Sequence, residues 1–321
     1  MGFKIIGTGS AAPKRAVTND DLAKIMDTSD EWIRTRTGIC ERRILADDET
    51  LTDLAVCAGK GAIDMAGISA ESVGVVICST MCGDYITPAV AALAAGQLGV
   101  PENAVVLDMN MACSGFIVAL NAAEAYLSSG MAKYALVISA EALSRLVDWS
   151  DRSTCVLVGD AAGAVVLEAS DDIVDFDIKT DGGFELLRID RRSDNCPYNA
   201  AEESGVMRMN GQEVYKFAVS SVTERIESIL KRNSLTIDGI SRVLLHQANM
   251  RINSSAAHRL GGGDEKFPHN IERYGNTSSA TIPVLLDELC RDGKLEAGTK
   301  MIFCAFGAGM TSAACLIDWH I

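Results

Sequence analysis

The sequence predicts an α/β fold built from a duplicated unit. Short runs rich in β-branched residues alternate with longer runs rich in alanine and leucine, which is the pattern of strands alternating with helices. The two halves of the 321-residue chain also repeat each other in pattern, with a boundary near residues 170–180. This length is enough for two such units with a substantial core. We therefore expect an N-terminal unit at residues 1–172 and a C-terminal unit at residues 173–321.

The individual elements follow from this alternation. Strands are predicted at residues 3–7, 73–79, 104–109, 134–140, 163–168, 242–246 and 300–305. Helices are predicted at residues 50–66, 87–98, 114–129, 211–232, 250–260 and 278–292. The segment 188–206 lacks periodicity and is predicted to be a loop.

Four pairs of segments carry the internal repeat. They are VGVVICST (73–80) with SRVLLHQA (241–248), ACSGFIVALNAAEAYL (112–127) with GNTSSATIPVLLDELC (275–290), KYALVISAEA (133–142) with TKMIFCAFGA (299–308), and AGAVVLEAS (162–170) with TSAACLIDW (311–319). This alignment places Cys113 and Asn276 at equivalent helix starts and His246 at the end of a strand. Because sites in α/β folds form at the carboxyl ends of strands, we expect the three to meet.

The composition excludes several classes of function. The 29 basic and 43 acidic residues give a net charge of −14, which argues against nucleic-acid binding and against anionic membrane surfaces. No apolar run approaches the roughly 20 residues of a membrane span, and the N-terminus does not look like a secretory signal. Ten cysteines without such a signal fit a reducing cytoplasm, and the lack of any CxxC pair argues against a thiolate metal site.

Cys113 has two possible roles in DMNMACSGFIVAL (108–120). It is either one more buried small hydrophobic residue or a nucleophile placed where a strand gives way to a helix. A helix N-terminus offers free N–H groups and a partial positive charge, which lower the pKa of a thiol. The neighbours Ala112, Ser114 and Gly115 are small and leave room for an acyl group.

His246 also has two possible roles. A histidine that closes a strand is usually a structural residue with its hydrogen bonds satisfied. Here the polar residues of VLLHQANMRI follow it directly, which favours a site. The strand-like KIIGTGSAA offers a rival, since it fits the G-x-G-x-x-A fingerprint of dinucleotide binding. Pro13 and Lys14 interrupt the helix that the fingerprint requires, so we do not expect a nucleotide-dependent dehydrogenase.

Six motifs in order resemble the β-ketoacyl-acyl-carrier-protein synthase III family of condensing enzymes. They are TSDEWIRTRTGICERRI (28–44), ACSGF (112–116), GDAAGA (159–164), MNGQEVYKFAV (209–219), HQANMRI (246–252) and GNTSSA (275–280). The resemblance implies the thiolase fold, a duplicated five-layered α/β/α/β/α arrangement. It implies a decarboxylating condensation of an acetyl-CoA or other short or branched acyl-CoA primer with malonyl-acyl-carrier protein, which initiates type II fatty-acid synthesis. No cofactor and no metal are expected, because coenzyme A enters as part of the substrate.

The resemblance also implies roles for residues. Cys113, His246 and Asn276 match the catalytic triad, and the backbone N–H groups of Cys113 and Gly309 match the oxyanion hole. The contacts to coenzyme A and its pantetheine arm are carried over to Thr28, Trp32, Arg36, Arg152, Gly211 and Asn249. Trp32 and Arg152 would sandwich the adenine, although without the motif Trp32 is more simply core and Arg152 a surface ion pair.

Partners follow from the same resemblance. The family is usually a homodimer and docks an acidic acyl carrier protein, for which the matching positions are Lys216, Gln247, Ala248, Asn249, Met250 and Arg251. Thr87 occupies the position that often holds a bulky gate for the acyl chain. Two alternatives stay open, a specialised relative that primes a polyketide and a non-catalytic subunit of a condensing heterodimer. The intact Cys113 argues against the second.

Overall fold

The computed structural model describes residues 2–190 and 205–321, which form two sheets with helices between and outside them. The first sheet has the order β1-β7-β6-β4-β5 and the second the order β11-β12-β13-β8. The strands of the first sheet are β1 (Gly2–Ala11), β4 (Val73–Ser79), β5 (Val105–Met109), β6 (Tyr134–Ala142) and β7 (Asp160–Ser170). Those of the second are β8 (Asp175–Thr180), β11 (Arg242–Leu245), β12 (Lys300–Gly307) and β13 (Thr311–Asp318). Two small hairpins pair β2 (Ala16–Thr18) with β3 (Glu41–Arg43) and β9 (Leu187–Ile189) with β10 (Met207–Met209).

The helices form three layers around these sheets. They are α1 (Asn19–Ala23), α2 (Asp30–Thr37), α3 (Leu51–Ala66), α4 (Val90–Leu98), α5 (Gly115–Ser128), α6 (Gly211–Arg232), α7 (Met250–Leu260), α8 (Ile271–Tyr274) and α9 (Thr281–Arg291). One core cluster joins apolar residues of α5 and α9 to residues of both sheets. A second cluster packs α3 and α4 on the outer face of the first sheet, and a third packs α6 and α7 on the outer face of the second. The predicted five-layered thiolase fold is therefore confirmed.

Gly7 and Gly9 form the G-x-G sequence that matches the dinucleotide-binding fingerprint, and the structure gives them a different role. Both lie inside β1, where α3 packs directly on the strand. A Cβ on Gly7 would lie 2.2 Å from the Ala62 carbonyl oxygen, and one on Gly9 would lie 2.2 Å from that of Ala58. These glycines serve close packing of helix on strand, and no helix opens on them as a dinucleotide site requires.

The sequence predicted the long elements and the strands with continuous apolar runs, such as β5 and β11, and missed several short elements. It did not predict α1, α8 or β8, nor the two hairpins, because these segments have no continuous apolar run and too few residues to show a period. The loop predicted at 188–206 begins within β9, and its residues 191–204 lie outside the described part of the chain. The predicted division at 172/173 stays a prediction, although the two sheets separate between β7 and β8.

The internal repeat needs a correction of three residues. α5 and α9 each follow a short 3-10 turn, at Ala112–Ser114 and Ser278–Ala280. The first residues of these turns both have positive φ, 46° at Ala112 and 51° at Ser278. Cys113 therefore matches Ser279, not Asn276. A slip of three residues keeps the same helix face inward, so the apolar pattern alone did not detect it.

Candidate active site

Cys113 lies in the turn between β5 and α5 and lines a cavity of about 260 Å³. His246 and Asn276 line the same cavity, so the structure brings together the three residues that the sequence singled out. His246 follows β11 and Asn276 precedes α9, so the C-terminal half supplies both. A thiol, an imidazole and a carboxamide thus line one cavity, and their joint catalytic role stays a prediction.

Burial, not helix position, dominates the chemistry of the Cys113 thiol. The sequence predicted a lowered pKa, whereas removal from water raises the pKa of Cys113 to about 12, and the charge of Glu141 adds to the rise. A nearby hydroxyl of Ser278 acts in the opposite direction. Burial therefore opposes the thiolate that the sequence predicted at this helix start, because the charged form of a thiol loses its hydration there. Cys113 needs a proton acceptor in order to attack.

His246 is held by a hydroxyl and an aromatic edge. Its Nδ1 lies 2.8 Å from the Thr281 Oγ1, and its ring meets Phe306 edge-on at 5.3 Å between centroids. Only 2% of the side chain is exposed, and this burial lowers the pKa of His246 to about 3, so the imidazole is neutral near pH 7. The Thr281 hydroxyl has two acceptors in reach, His246 Nδ1 and the Ser278 carbonyl oxygen at 3.0 Å. When it donates to Nδ1, the imidazole proton resides on Nε2.

Asn276 is oriented by its own backbone. Its Oδ1 accepts a hydrogen bond from the Ser278 N–H at 2.8 Å, closing an Asx turn. Its backbone N–H donates to the Leu157 carbonyl oxygen, and its carbonyl oxygen accepts from the Gly159 N–H. With the Oδ1 occupied, the two N–H groups of the carboxamide remain as its donors toward the cavity.

The end of β12 adjoins the nucleophile, whereas Gly309, predicted for the oxyanion hole, does not line the cavity. A Cβ on Gly307 would come within 2.8 Å of the Cys113 backbone nitrogen, so this strand end touches the nucleophile. Gly307 and Ala308 line the cavity, whereas Gly309 is not among its lining residues and sits in the following turn, beside Thr311. The role of Gly309 stays a prediction, and Ala308, which lines the cavity, is the nearer candidate for the second donor. FGAGM offers two glycines, and the sequence gives no sign of which N–H faces inward.

Trp32 forms the mouth of the cavity together with two guanidinium groups. The Arg36 Cζ lies 4.6 Å from the Trp32 ring centroid and the Arg152 Cζ lies 5.1 Å from it. A planar base between Trp32 and Arg152 needs two van der Waals spacings of about 3.5 Å each. Arg152, which also donates to the Asp27 carbonyl oxygen, must therefore move before an adenine fits there.

The other predicted contacts divide between the cavity and its surroundings. Gly211 and Asn249 line the cavity, and the Asn249 Nδ2 donates to the Arg36 carbonyl oxygen. Thr28 does not line it, and its buried hydroxyl has no hydrogen-bond partner within residues 2–190 and 205–321. Thr87 is exposed in a loop and does not line it either. Thr87 belongs to a run of four exposed residues, 85–88, and its role as a gate stays a prediction.

The predicted docking segment is only partly on the surface. Lys216 and Arg251 are exposed, with Lys216 paired to Glu213 and Arg251 donating to the Thr35 carbonyl oxygen. Ala248, Asn249 and Met250 are half-buried. Gln247 is completely buried and its Nε2 donates to the Leu245 carbonyl oxygen, so Gln247 is not available to a partner. A polar residue directly after a strand is easily predicted to be exposed, because the sequence does not show whether the chain turns inward there.

The sequence reasoning missed three residues of the site, Glu141, Ser278 and Thr281. Each is buried: Glu141 is the next-to-last residue of β6, and the other two lie within GNTSSAT. The single charged residue in the mostly apolar run YALVISAEA was the available signal for Glu141. The two hydroxyl residues gave none, because serine and threonine are common at helix starts.

Neither metal ligation nor a membrane span is found in the part of the chain that the structure describes. No group of three or more His, Cys, Asp or Glu side chains within residues 2–190 and 205–321 is arranged to hold a metal ion. No helix in these ranges is both long and apolar enough to cross a bilayer.

Comparison with known proteins identifies relatives of the whole chain. Two family profiles match, 3-oxoacyl-[acyl-carrier-protein] synthase III at residues 107–182 and its C-terminal counterpart at residues 230–319. A β-ketoacyl-[acyl-carrier-protein] synthase III of Synechococcus sp. (strain WH7803) is 45% identical, with 100% of this chain and 97% of the relative covered. The crystal structure of 3-oxoacyl-[acyl-carrier-protein] synthase III from Aquifex aeolicus VF5 superimposes with a TM-score of 0.91 at 43% identity, covering 99% and 100% of the two chains. The priming β-ketosynthase of the R1128 polyketide pathway superimposes with a TM-score of 0.94 at 33% identity, covering 99% and 96%.

Proposed function

The chain belongs to the 3-oxoacyl-[acyl-carrier-protein] synthase III family, and we propose that its chemistry takes place at Cys113, His246 and Asn276. It is a condensing acyltransferase that joins an acyl-CoA to malonyl-acyl-carrier protein and so initiates fatty-acid synthesis. The observation that carries the site assignment is the cavity that connects these three side chains to an aromatic and cationic mouth.

The first half-reaction is transfer of the acyl group to Cys113. The thiol sulfur attacks the thioester carbonyl, and negative charge develops on the carbonyl oxygen. The backbone N–H groups of Cys113 and Ala308 stabilise that charge, since the first N–H groups of a helical turn have no partner within the turn. Collapse of the intermediate expels the CoA sulfur, which leaves with a proton. The product is an acyl thioester on Cys113.

The second half-reaction is decarboxylation of the malonyl group. Loss of CO2 leaves an enolate, whose charge resides largely on the thioester oxygen. His246 Nε2–H and the Asn276 carboxamide donate hydrogen bonds to this oxygen, which requires the Thr281 hydroxyl to donate to His246 Nδ1. The enolate carbon then attacks the acyl group on Cys113 and forms the β-ketoacyl product on the carrier protein.

Neither half-reaction requires a metal or an organic cofactor, because the thiol and the hydrogen-bond donors provide all the groups that the steps use. The CoA thioester is a substrate. Arg36 and Arg152 at the mouth suit its phosphates, and Trp32 offers a face for its adenine. Gly211 and Asn249 lie where the pantetheine arm would pass.

Docking of the acidic carrier protein is assigned to the exposed cations Lys216 and Arg251. Arg251→Glu should raise the KM for malonyl-acyl-carrier protein about tenfold. Acylation by acyl-CoA should be unchanged, because the carrier protein takes no part in that half-reaction. Lys60→Glu on α3 is a matched charge reversal away from the mouth. An equal loss in both half-reactions would contradict this docking site.

We also infer a homodimer in the cytoplasm. β5 is an edge strand of the first sheet, and Val106 at its centre is 37% exposed. Edge strands with exposed apolar residues favour pairing with a second copy. All nine cysteines of the described chain are free, which suits a reducing compartment.

The assignment is tested by intact mass spectrometry after incubation with a panel of acyl-CoAs. We expect one acyl group per chain, mapped to Cys113, and its transfer into a β-ketoacyl product when malonyl-acyl-carrier protein is added. The panel also reports which primer is preferred. Acylation that survives Cys113→Ala would overturn the site.

A second candidate is priming of a polyketide, favoured by the close superposition on the R1128 priming ketosynthase. The same experiment separates the two functions when both a fatty-acid and a polyketide carrier protein are offered. Faster product formation on the polyketide carrier would favour the second candidate.

A further inference from the structure

We propose that Ser278 and Glu141 form a proton relay behind Cys113, which takes the thiol proton during attack on an acyl thioester and returns it to the departing CoA sulfur. The relay rests on the proposed role of Cys113 as nucleophile. As the carbon–sulfur bond to Cys113 forms, the thiol proton passes to the Ser278 oxygen while the Ser278 proton passes to the Glu141 carboxylate. When the bond to the CoA sulfur breaks, the same path runs in reverse to the CoA thiolate.

Glu141 is a buried carboxyl without a cation. Its Oε1 accepts from the Ser279 hydroxyl at 2.8 Å, and its Oε2 accepts from the Met81 N–H at 3.2 Å and the Cys82 thiol at 3.0 Å. The residue is 1% exposed, and no salt bridge to it is found in the described chain. A buried carboxylate without a counter-charge is costly, so its presence calls for a role.

Ser278 is the bridge between this carboxyl and the nucleophile. Its hydroxyl is fully buried, lines the cavity and has no hydrogen-bond partner of ordinary geometry among the residues that the structure describes. It lies close enough to both Cys113 and Glu141 to favour the charged form of each. A hydroxyl is donor and acceptor at once, so it can receive a proton from one neighbour while it gives its own to the other. Its φ of 51° is unusual for serine and indicates a constrained position.

The alternative base, His246, is poorly suited to this step. An imidazole that donates Nε2–H to the enolate has no lone pair on Nε2 with which to receive the thiol proton. Burial also lowers the pKa of His246 to about 3, far below that of the thiol. Burial raises the pKa of Glu141 to about 7, which is the value suited to a general base at neutral pH.

The groups around Glu141 do not supply another proton acceptor of this kind. Cys78 and Cys82 face it from the end of β4 and the segment after it, and burial raises the pKa of both thiols. Asp160 at the start of β7 adjoins Cys82 but receives hydrogen bonds from Ser144. The Cys113 thiol faces Glu141 from the turn before α5.

The test is the pH dependence of single-turnover acylation by acetyl-CoA, followed by rapid quench and intact mass. In the wild type we expect the rate to rise with pH and to level off through an inflection near 7. Glu141→Gln should lower the plateau about 10²-fold and remove the inflection. Ser278→Ala should do the same while leaving the three hydrogen bonds of Glu141 in place, so it serves if Glu141→Gln does not fold. The double variant should be no slower than either single variant.

Ser279→Ala is the matched control. Ser279 donates to Glu141, and this bond lowers the pKa of the carboxyl. Its loss should therefore move the inflection to higher pH and keep the plateau. If Glu141 acted only through its charge, Glu141→Gln would make the thiol more acidic and acylation equal or faster, and that result would overturn the relay. Acylation mapped to a residue other than Cys113 in the wild type would instead refute the proposed function.

Discussion

The starts of α5 and α9 share one backbone design but serve opposite purposes. Each begins with a residue of positive φ, Ala112 at 46° and Ser278 at 51°. Each is preceded by an asparagine whose Oδ1 accepts the N–H of that residue, at 3.2 Å for Asn110 and 2.8 Å for Asn276. The two turns are therefore equivalent in conformation, and the difference between them lies in side chains.

The facing strands decide which turn is an open site. Gly307 is the eighth residue of β12 and lies against Cys113, whereas Glu141 is the eighth residue of β6 and lies against Ser279. Glycine leaves space for a substrate beside the thiol. Glutamate fills the equivalent space beside the serine and hydrogen-bonds its hydroxyl. The residue at this one position of the neighbouring strand therefore distinguishes the turn that is open to substrate from the equivalent turn that is closed.

The first residues of α5 and α9 also differ in what they contact. His246 meets Thr281, the first residue of α9, through a hydrogen bond. Ser79 meets Gly115, the first residue of α5, so closely that a Cβ there would lie 1.9 Å from the Ser79 hydroxyl. The start of α9 therefore contacts a large imidazole, whereas the start of α5 contacts a small hydroxyl. The following predictions test how much of this difference depends on single residues.

The largest effect is expected from exchanging the two nucleophile positions. Cys113→Ser should reduce acylation by acyl-CoA at least about 10³-fold, because a hydroxyl is far less ionised than a thiol. Ser279→Cys should gain no acylation, because Glu141 fills the space that a substrate would need. Intact mass spectrometry measures both, and an acyl group on residue 279 would show that the second turn is not closed.

Removing the two asparagines should separate their roles. Asn276→Ala should slow decarboxylation of malonyl-acyl-carrier protein about 10²- to 10³-fold through loss of an oxyanion donor, with Cys113 still acylated. Asn110→Ala is the matched control, since Asn110 makes the same backbone contact but is exposed. Release of CO2 from malonyl-carrier is the measurement. Equal effects of the two substitutions would mean that Asn276 acts only through its turn.

A smaller effect is expected at Thr281. Thr281→Val keeps the shape but removes the hydroxyl that holds His246 Nδ1, and should lower kcat for condensation about tenfold with little change in KM. Thr281→Ser keeps the hydroxyl and should recover most of the rate. If valine and serine variants were equally slow, packing of the methyl group would be the explanation instead.

The smallest effect is expected on the free energy of unfolding. His246 and Glu141, both buried and titratable, should change it in opposite directions as the pH rises. His246 has a pKa of about 3 when folded against about 6.5 when unfolded, so its contribution to stability is lost as pH falls through that window. Glu141 has a pKa of about 7 when folded against about 4.5 when unfolded, so its contribution is lost as pH rises from 4.5 to 7. Denaturant midpoints between pH 5 and pH 7 should rise more steeply in Glu141→Gln than in the wild type, and less steeply in His246→Gln. Parallel curves would contradict both pKa values.

The sequence was informative about which polar residues lie at the ends of core elements, and misleading about which of those side chains face the site. Cys113, His246 and Asn276 stood out because each is a polar group at the end of a core element, and the structure brings them together. Gln247 followed the same rule and proved to be buried. Which side chain faces inward at a strand end depends on the path of the chain, and periodicity does not record that path.

The two left-handed residues have a consequence for heat tolerance. A side chain at such φ costs roughly 1–2 kcal/mol that glycine would not, so Ala112 and Ser278 leave unused stability in the fold. Glycine at either position would remove this conformational cost and stabilise the fold. It would also make the backbone of the turn more flexible, so Cys113 and its neighbours would be positioned less well for reaction. Selection for survival at high temperature is therefore expected to recover Ala112→Gly or Ser278→Gly in variants that endure heating and turn over slowly.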